Sequence, residues 1–363
     1  MLIKKLTLTN FRNYEACEFA PEPGINLIVG ENAQGKTNLL EAVFFCCFGR
    51  SHRTSREKDL IAYDAPFSLI RLCSQRTGTD HELTVRLSRE EGRKIKSDGL
   101  PLVRIGELMG LLNCVLFAPE HLSIVKDGPA ERRRFLDMEL SQTYPAYFFL
   151  LQQYQRALRQ RNMLLKSLRE QPELRATLPV WNQQLASLGW KLMGYREAFC
   201  ARLSTLASRN HADISGGREQ LTVQYRPDCA AQDELSLLRL IEEGQKEDLR
   251  RLTSTRGPHR DEMALNLDGR EIRAFGSQGQ QRTAALAIKL SELDLIRAET
   301  GEWPILMLDD VMSELDPSRR RQLIARLEGI QTIVTCTDRD DLAGATIGAA
   351  WRVHGAELER IEV

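Results

Sequence analysis

The chain has 363 residues, of which 42% are hydrophobic and 28% are charged. This length and composition indicate a soluble globular protein with one large domain or two modest ones. The 50 Lys and Arg residues balance 50 Asp and Glu residues. Net charge therefore predicts no partner, and a nucleic-acid site would have to come from local clustering of basic side chains.

The cysteines and the N-terminus indicate the cellular compartment. Eight cysteines form no C-x-x-C pair and no Cys/His cluster with zinc spacing. Cys46 and Cys47 lie in an apolar helical run, where buried free thiols fit a reducing cytosol. The chain begins with a strand pattern that lacks the apolar core of a signal peptide, and no apolar run reaches about 18 residues. We therefore expect a cytoplasmic protein without a membrane span.

Strand patterns dominate the N-terminal part of the chain. Alternating and short apolar runs predict strands at 2–8, 25–29, 67–73, 82–88 and 94–99, and a helix at 38–45. We interpret the strands between 67 and 99 as an antiparallel sheet added to the core.

A helical insertion follows, because glycine is rare and helix formers dominate from about 129 to 213. Pro129 can open a helix, and apolar residues at helical spacing predict long packed helices that are interrupted near Pro172 and Pro179. The later predicted elements are strands at 221–225, 263–270, 304–308, 332–335 and 351–353, and helices at 233–249 and 279–299.

A phosphate-binding loop pattern, G-x-x-x-x-G-K-[ST], lies between the strand at 25–29 and the next helix, which is the context that such a loop requires. Its glycines let backbone N–H groups point at a polyphosphate, Lys36 reaches the β- and γ-phosphates, and the Thr37 hydroxyl ligates Mg²⁺. The predicted nucleotide-binding residues of this loop are Gly30, Glu31, Asn32, Ala33, Gln34, Gly35, Lys36 and Thr37.

Two carboxylates, Asp309 and Asp310, follow the apolar run 305–308. This position is the carboxyl end of a buried strand, where a phosphate-loop hydrolase needs an acid near its metal. We expect Asp309 to hold Mg²⁺ directly or through water, and Asp310 to polarise the attacking water.

The segment 277–282 opens the long helix before the acidic strand. Ser277 is a good N-cap residue, and Gly279 leaves the backbone open to a close neighbour. A helix N-terminus is itself an anion site, so one subunit would hold two anion sites for one nucleotide. A head-to-tail dimer removes this redundancy, because each subunit offers its helix end to the γ-phosphate that the other holds.

Together these segments resemble the ATP-binding-cassette (ABC) ATPases, with 277–282 as their signature segment and 313–316 as their D-loop. The start at 6–14 is similar to the first strand of the SMC and Rad-type DNA-repair branch. The whole chain is similar to the RecF family of bacterial recombination-mediator ATPases. The segments that carry this resemblance follow in order along the chain: 30–37, 51–54, 117–120, 127–129, 132–137, 257–261 and 275–282.

The resemblance implies an α/β fold, namely an ABC-type P-loop ATPase head with a mixed central sheet, flanking helices and an inserted helical lobe. Lobe I would join residues 1–125 to residues 251–363, and the latter would carry the signature segment, the carboxylates and the D-loop. Lobe II would be the helical insertion 126–250.

The resemblance also implies a function. It implies ATP and Mg²⁺ as cofactors, ATP-driven homodimerisation on double-stranded DNA or double-strand/single-strand junctions, and weak, slow, DNA-stimulated ATP hydrolysis. It implies work with RecR and RecO to load RecA onto single-stranded gaps during recombinational repair and replication-fork recovery, in support of SOS induction. By position, Lys36 and Asp310 match catalytic residues, and Thr37 and Asp309 match metal ligands. The other implied nucleotide contacts are Arg12, Asn13, Ser277, Gly279 and Gln280.

The sequence departs from the ABC pattern in its catalytic and switch positions. Asp310 stands where ABC heads usually carry glutamate, and its shorter side chain suits slow hydrolysis. No switch histidine follows the strand at 332–335, so we expect the hydroxyl of Thr335 or Thr337 at the γ-phosphate. No clear glutamine-loop residue is present, and Glu120 or a nearby group is expected instead.

Clusters of basic residues, some with hydroxyl neighbours, suit contacts to a DNA backbone without base reading. For any single arginine, a solvated helix face with intramolecular ion pairs is at least as good an interpretation. The basic residues are Arg50, His52, Arg53, Arg56, Arg132, Arg133, Arg134, Arg156, Arg159, Arg161, Lys166, Arg169 and Arg175.

Two other classes of function stay open. An ABC transporter energy subunit would dock membrane partners, but that class usually keeps the switch histidine and the glutamine loop. A P-loop small-molecule kinase would bind its acceptor in the helical lobe, but this interpretation leaves 277–282 and 313–316 unexplained.

Overall fold

The computed structural model describes residues 1–362. It divides into two compact units, of which unit 1 comprises Met1–Leu122, Asn210–Arg218 and Ala285–Val363, and unit 2 comprises Ser123–Arg209 and Glu219–Ala284. Unit 2 thus includes residues 251–284, which the predicted domain division placed with lobe I. The reason is local packing, since the strand at Glu262–Leu267 pairs with the strand at Leu221–Arg226.

The elements follow in chain order. The strands are β1 (Leu2–Phe11), β2 (Tyr14–Phe19), β3 (Ile25–Val29), β4 (Phe67–Arg76), β5 (Thr79–Ser88), β6 (Gly92–Ser97), β7 (Leu100–Pro101), β8 (Cys114–Phe117), β9 (Leu221–Arg226), β10 (Glu262–Leu267), β11 (Arg270–Glu271), β12 (Ile305–Asp309), β13 (Thr332–Cys336), β14 (Ile347–His354) and β15 (Glu357–Ile361). The α-helices are α1 (Lys36–Phe48), α2 (Ser123–Lys126), α3 (Pro129–Thr143), α4 (Pro145–Ser167), α5 (Leu178–Ser215), α6 (Glu234–Glu243), α7 (Gln245–Arg251), α8 (Ile272–Phe275), α9 (Gln278–Thr300) and α10 (Pro317–Arg326).

Unit 1 contains two sheets. The first is antiparallel with the order β2-β1-β4-β5-β6-β7, which confirms the antiparallel sheet predicted between 67 and 99. The second has the order β15-β14-β3-β13-β12-β8, and all of its neighbouring pairs are parallel except β14–β15 at the edge.

The parallel sheet positions the candidate site. All residues of β12 and β13 are buried, as is typical of parallel strands covered on both faces. Neighbouring parallel strands end at the same edge of a sheet, and in open α/β sheets this edge is where ligands bind. The carboxyl ends of β3, β13 and β12 therefore bring the phosphate loop and the two carboxylates to one edge.

Unit 2 is mainly helical and carries a small sheet with the order β11-β10-β9. Pro129 opens α3 as predicted. The single helix predicted over 233–249 is wrong, because Gly244 ends α6 and α7 begins at the next residue. Glycine is a poor helix former, and a Cβ at Gly244 would lie 2.8 Å from Cγ of Arg256.

Two further observations concern the cysteines and the helices. Within residues 1–362 the cysteines are free, and Cys46 and Cys47 are buried as predicted. None of the helices in that range is both long enough and apolar enough to cross a membrane.

The segment 257–261, one of those that carry the family resemblance, belongs to a buried polar network in unit 2. Arg196 on α5, only 2% exposed, donates to Asp137 on α3 at 2.8 Å and to Asp261 at 3.0 Å. The Tyr225 hydroxyl of β9 also donates to Asp261. One carboxylate therefore ties the segment to a helix and to a strand.

We predict that Arg196→Leu lowers the free energy of unfolding by about 3–5 kcal/mol, because it leaves buried carboxylates without their cation. Urea unfolding followed by circular dichroism measures the loss. Lys191→Leu is the matched control, since Lys191 is exposed on the same helix, and it should change the free energy by about 0.5 kcal/mol or less. Equal losses in the two variants would contradict the importance of the network.

Candidate functional site

The loop between β3 and α1 has two positions that only glycine fits. A Cβ at Gly30 would lie 2.5 Å from the backbone oxygen of Val353. Gly35 has a φ of 125°, and a Cβ there would lie 2.9 Å from both Asn13 Nδ2 and the Tyr14 hydroxyl. The backbone therefore curls tightly before α1, which is the geometry that leaves N–H groups available to a phosphate.

The Lys36 side chain lies along this loop. Its ammonium donates to the backbone oxygens of Gly30 at 2.5 Å and Glu31 at 3.0 Å. Burial lowers the pKa of Lys36, and the carboxylates of Asp310 and Asp309 oppose that change. The Lys36 ammonium is thus held between the loop and the two carboxylates, in a position to bind a phosphate.

The outer part of the loop is open to solvent, and its far end is held from two sides. The exposed residues are Glu31, Asn32 and Ala33. The Gln34 side chain accepts the N–H of Gly355 at 2.7 Å, and the Gln34 backbone oxygen accepts from Asn13 Nδ2 at 3.0 Å. The structure therefore places Asn13 beside the loop, although its predicted nucleotide contact stays a prediction.

Asp309, at the end of β12, lies against two hydroxyl groups. Its Oδ1 accepts from Thr37 Oγ1 at 3.1 Å and from Thr335 Oγ1 at 2.6 Å. The side chain is 6% exposed. Burial raises the pKa of Asp309, while the two hydroxyl hydrogen bonds oppose the rise. A cation beside this buried carboxylate would stabilise its charged form.

The donor set fits Mg²⁺ as a cofactor. Mg²⁺ usually takes one or two carboxylates and fills the rest of its shell with substrate phosphates and water. Asp309 and the hydroxyl of Thr37 supply such oxygens, whereas residues 1–362 contain no group of three His, Cys, Asp or Glu side chains able to hold a metal by themselves. The site would hold the ion together with a phosphate.

Asp310 directly follows β12 in a left-handed backbone conformation, with a φ of 52°. Its N–H donates to the backbone oxygen and to the hydroxyl of Thr335, both at 3.1 Å. Ser313 Oγ donates to the Asp310 backbone oxygen at 2.9 Å. The turn after β12 is therefore held from β13 and from the predicted D-loop. The predicted catalytic role of Asp310 stays a prediction.

Thr335, which the sequence suggested as a switch residue, also supports the two acidic residues at the end of β12. It is fully buried, and its hydroxyl donates to the Asp309 carboxylate and accepts the backbone N–H of Asp310. Thr337, just past β13, is exposed, so of the two threonines it has the hydroxyl that a ligand could reach. Glu120 lies near enough to Asp309 to contribute to the raised pKa of that carboxyl, and its expected role in place of a glutamine-loop residue stays a prediction.

Arg12 lies in a contact that the sequence did not reveal. Its guanidinium donates to both carboxylate oxygens of the fully buried Glu41, at 2.8 and 2.7 Å. The Ser51 hydroxyl donates to the same carboxylate. Burial by itself raises the pKa of Glu41, but the hydrogen bonds from Arg12 and Ser51 outweigh it, and the net pKa is lowered. Arg12 is therefore fixed to α1, the helix that starts at Lys36.

The predicted signature segment lies in unit 2 and begins α9. Ser277 Oγ accepts the N–H of Gln280 at 3.3 Å, and Gln280 Oε1 accepts the N–H of Ser277 at 2.7 Å. This reciprocal pair is a capping box, and it confirms Ser277 as the N-cap residue. Gly279 accepts from the hydroxyl of Thr283 at 2.8 Å. The Ser277 side chain is exposed, so the helix end is open to a ligand.

Two of the basic residues assigned to a DNA surface are buried, and that interpretation is wrong for them. Arg161 is fully buried and pairs with Asp248 at 2.7 Å. Arg132 is buried and pairs with Glu262 at 2.7 Å. The basic residues that are exposed on or just after α4 are Arg156, Arg159, Lys166, Arg169 and Arg175.

A family model described as the RecF/RecN/SMC N-terminal domain matches residues 2–348. The chain is 42% identical, over 96% of its length and 96% of the relative's, to the DNA replication and repair protein RecF of Lachnoclostridium phytofermentans. It is 41% identical over 94% of each chain to the protein of the same name from Acetivibrio thermocellus.

Solved structures show similarity to the same family of proteins. The fold matches that of the recombination mediator protein RecF with ATP, in the RecFOR pathway, with a TM-score of 0.93, 32% identity, and coverage of 99% of this chain and 98% of the other. An Smc head bound to the C-terminal winged-helix domain of ScpA shares the fold alone, with a TM-score of 0.60 and 15% identity over 100% of this chain and 98% of the other. The predicted fold class, an ABC-type P-loop ATPase head, is confirmed.

We predict that Glu41→Gln destabilises the protein at neutral pH by about 1.5–3 kcal/mol, the contribution of hydrogen bonds to a charged group. The folded-state pKa of Glu41 is lowered, so its contribution is complete above the unfolded value of 4.5 and is lost as the pH falls through the folded value. The difference between wild type and variant should therefore shrink toward acid pH.

Urea titrations at a series of pH values measure this difference. Glu90→Gln is the control, since Glu90 is exposed, and it should change stability little at any pH. A Glu41→Gln effect that stays constant from neutral to acid pH would show that the carboxylate charge is not what stabilises this contact.

Proposed function

The chain belongs to the RecF family of SMC-like ATPases, and on that premise we propose that it is an ATP-gated DNA-binding protein of recombinational DNA repair. The observation that carries the proposal is the phosphate loop with Lys36 and Thr37, placed against the buried Asp309. Neither a transporter subunit nor a small-molecule kinase accounts for the similarity along the whole chain to RecF proteins.

We propose ATP as the nucleotide and Mg²⁺ as its ion. The backbone between Gly30 and Gly35 would cradle the phosphates, and Lys36 would exchange its backbone partners for phosphate oxygens. Thr37 and Asp309 would hold the ion, which offsets negative charge on the phosphates when bound. The solved relative described as RecF with ATP supports this assignment.

Asp310 is the proposed base for a slow hydrolysis. Its backbone is held by Thr335 and Ser313, so the side chain projects from a fixed turn. A carboxylate there can orient water and accept its proton. Aspartate reaches less far than the glutamate usual in ABC heads, which suits an enzyme whose nucleotide works as a switch.

Dimerisation is proposed because the end of α9 is built as a second phosphate-binding feature. Ser277 is exposed, its backbone is fixed by Gln280, and the helix N-terminus favours negative charge. In a head-to-tail dimer, Ser277, Gly279 and Gln280 of each subunit would complete the phosphate site of the other. ATP would thus join two copies of the chain, and hydrolysis would release them.

DNA is the proposed substrate of the dimer, in double-stranded form or at junctions with single strands. The exposed basic residues of α4, Arg156, Arg159 and Lys166, supply backbone-type contacts. RecR, with RecO and RecA in the same pathway, are the proposed protein partners. The proposed site of action is the cytoplasm, where gaps in DNA are repaired.

We predict that Lys36→Ala abolishes ATP binding, whereas Ser277→Arg leaves ATP binding intact but blocks dimerisation. The first variant loses the ammonium group that would contact the phosphates. The second places a long side chain where the γ-phosphate held by the partner would bind. Isothermal titration calorimetry measures binding, and sedimentation velocity with ATP measures the dimer.

Asp233→Ala is the control for Ser277→Arg, because Asp233 caps α6 in the same unit. Losing either cap costs about 1 kcal/mol, so the control should match the stability loss yet still dimerise. A Ser277→Arg protein that dimerises with ATP as wild type does would contradict the shared site.

We predict that Asp310→Asn retains ATP-dependent dimerisation but lowers the rate of ATP hydrolysis by about 100-fold or more, because the amide cannot accept a proton. Phosphate release measures hydrolysis, and retention on duplex DNA after dilution measures the lifetime of the dimer, which should lengthen. Asp268→Asn, in an exposed turn of unit 2, is the control. An unchanged rate of ATP hydrolysis in Asp310→Asn would show that Asp310 is not the base.

A further inference from the structure

An exposed aromatic side chain stands two residues before Ser277. Phe275 ends α8 and is 72% exposed. Ile272, at the other end of the same short helix, is buried. A large apolar side chain so exposed loses the benefit of burial, and aromatic anchors of this kind are enriched at protein–protein interfaces.

The backbone that carries Phe275 is fixed to the start of α9. The side-chain amide of Gln281, 9% exposed, lies 3.3 Å from the Ile272 oxygen, 3.4 Å from the Arg273 oxygen and 3.2 Å from the Gly276 oxygen. A Cβ at Gly276 would lie 2.6 Å from the Ile272 oxygen, so this approach requires glycine. Phe275 and Ser277 are therefore presented by one rigid segment.

We propose that Phe275 is an anchor of the contact between two copies of this chain, a proposal that rests on the shared phosphate site described above. Two residues of extended chain span about 7 Å at most. If Ser277 reaches a phosphate held by a second copy, Phe275 lies within that distance and is covered by the same copy. Its burial would supply apolar stabilisation beside the phosphate contact.

A second copy is favoured as the occupant because two parts of the chain are chemically complementary. Ser277 is an exposed hydroxyl at a helix N-terminus, which suits a phosphate, and in the proposed function the phosphate loop of a second copy would hold one. In a symmetric dimer both copies of Phe275 lie in one interface. A substitution at Phe275 therefore removes two side chains from the interface of each dimer, and both losses raise the dimer dissociation constant.

The test is Phe275→Ala, measured by sedimentation velocity over a range of protein concentrations at saturating ATP. Removing an interface anchor costs about 10-fold or more, so two copies should raise the dimer dissociation constant about 100-fold. ATP binding by the monomer should stay unchanged. Leu235→Ala, a truncation of a 60% exposed residue on α6 of the same unit, is the control and should dimerise as wild type does.

The outcomes separate this proposal from the one it rests on. If Ser277→Arg blocks dimerisation and Phe275→Ala does not weaken it, the anchor is overturned and the shared phosphate site stands. If Ser277→Arg dimerises normally, the shared site itself is wrong. If Phe275→Ala dimerises normally but changes the preference for ATP over GTP, the ring contacts a base instead of the partner protein, which also overturns the anchor. Phe275→Leu should restore part of the dimer if apolar burial is the cause.

Discussion

The rest of the candidate site depends on the contact of Asp309 with the hydroxyls of Thr37 and Thr335. It joins the end of β12 to the first turn of α1 and to β13. A buried carboxylate is costly unless it is hydrogen-bonded or paired. The two hydroxyls satisfy it in part, and burial still raises its pKa, so a neighbouring cation would stabilise the charged carboxylate. The protein thus holds the proposed metal ligand in place while leaving its charge incompletely compensated.

The hydrogen bonds around this contact extend its effect. Thr335 also accepts the N–H of Asp310, so the proposed metal ligand and the proposed base share one support. On the other side, α1 carries Glu41, which fixes Arg12. A structural change at the phosphate site would therefore also affect the predicted D-loop and the N-terminal strand. Such shared supports suit a protein in which nucleotide binding must alter a surface used by another molecule.

Sequence patterns predicted the parts of this arrangement that have a fixed local form. The phosphate loop, the apolar strand before Asp309 and the N-cap at Ser277 each combine residue type with position, and each is found where predicted. The strand β8 was not predicted, because periodicity cannot distinguish a run of four apolar residues from a buried helix segment, and no recognisable loop or acidic pair follows it as at β3 and β12. The break at Gly244 was also missed, since a glycine inside a helical pattern is often tolerated.

Buried charges were the main failure of prediction. Glu41 lies within an apolar helix, and Arg161 lies in the inward stripe of α4 with Tyr154, Ala157 and Leu165. Spacing could have flagged both as buried, because a charge in an apolar stripe needs a partner. The partners themselves, Arg12 and Asp248, come from distant parts of the chain, and no local pattern indicates them.

In the proposed function one nucleotide site needs two chains, and a mixture of two defective variants tests this requirement. Lys36→Ala keeps a sound Ser277, and Ser277→Arg keeps a sound phosphate loop, so a mixed dimer contains one complete site. Sedimentation velocity of differently labelled variants with ATP should show a heterodimer when they are mixed and only monomers when each is alone. A mixture that stays monomeric, under conditions in which the wild type dimerises, would show that the two chains do not share a nucleotide site.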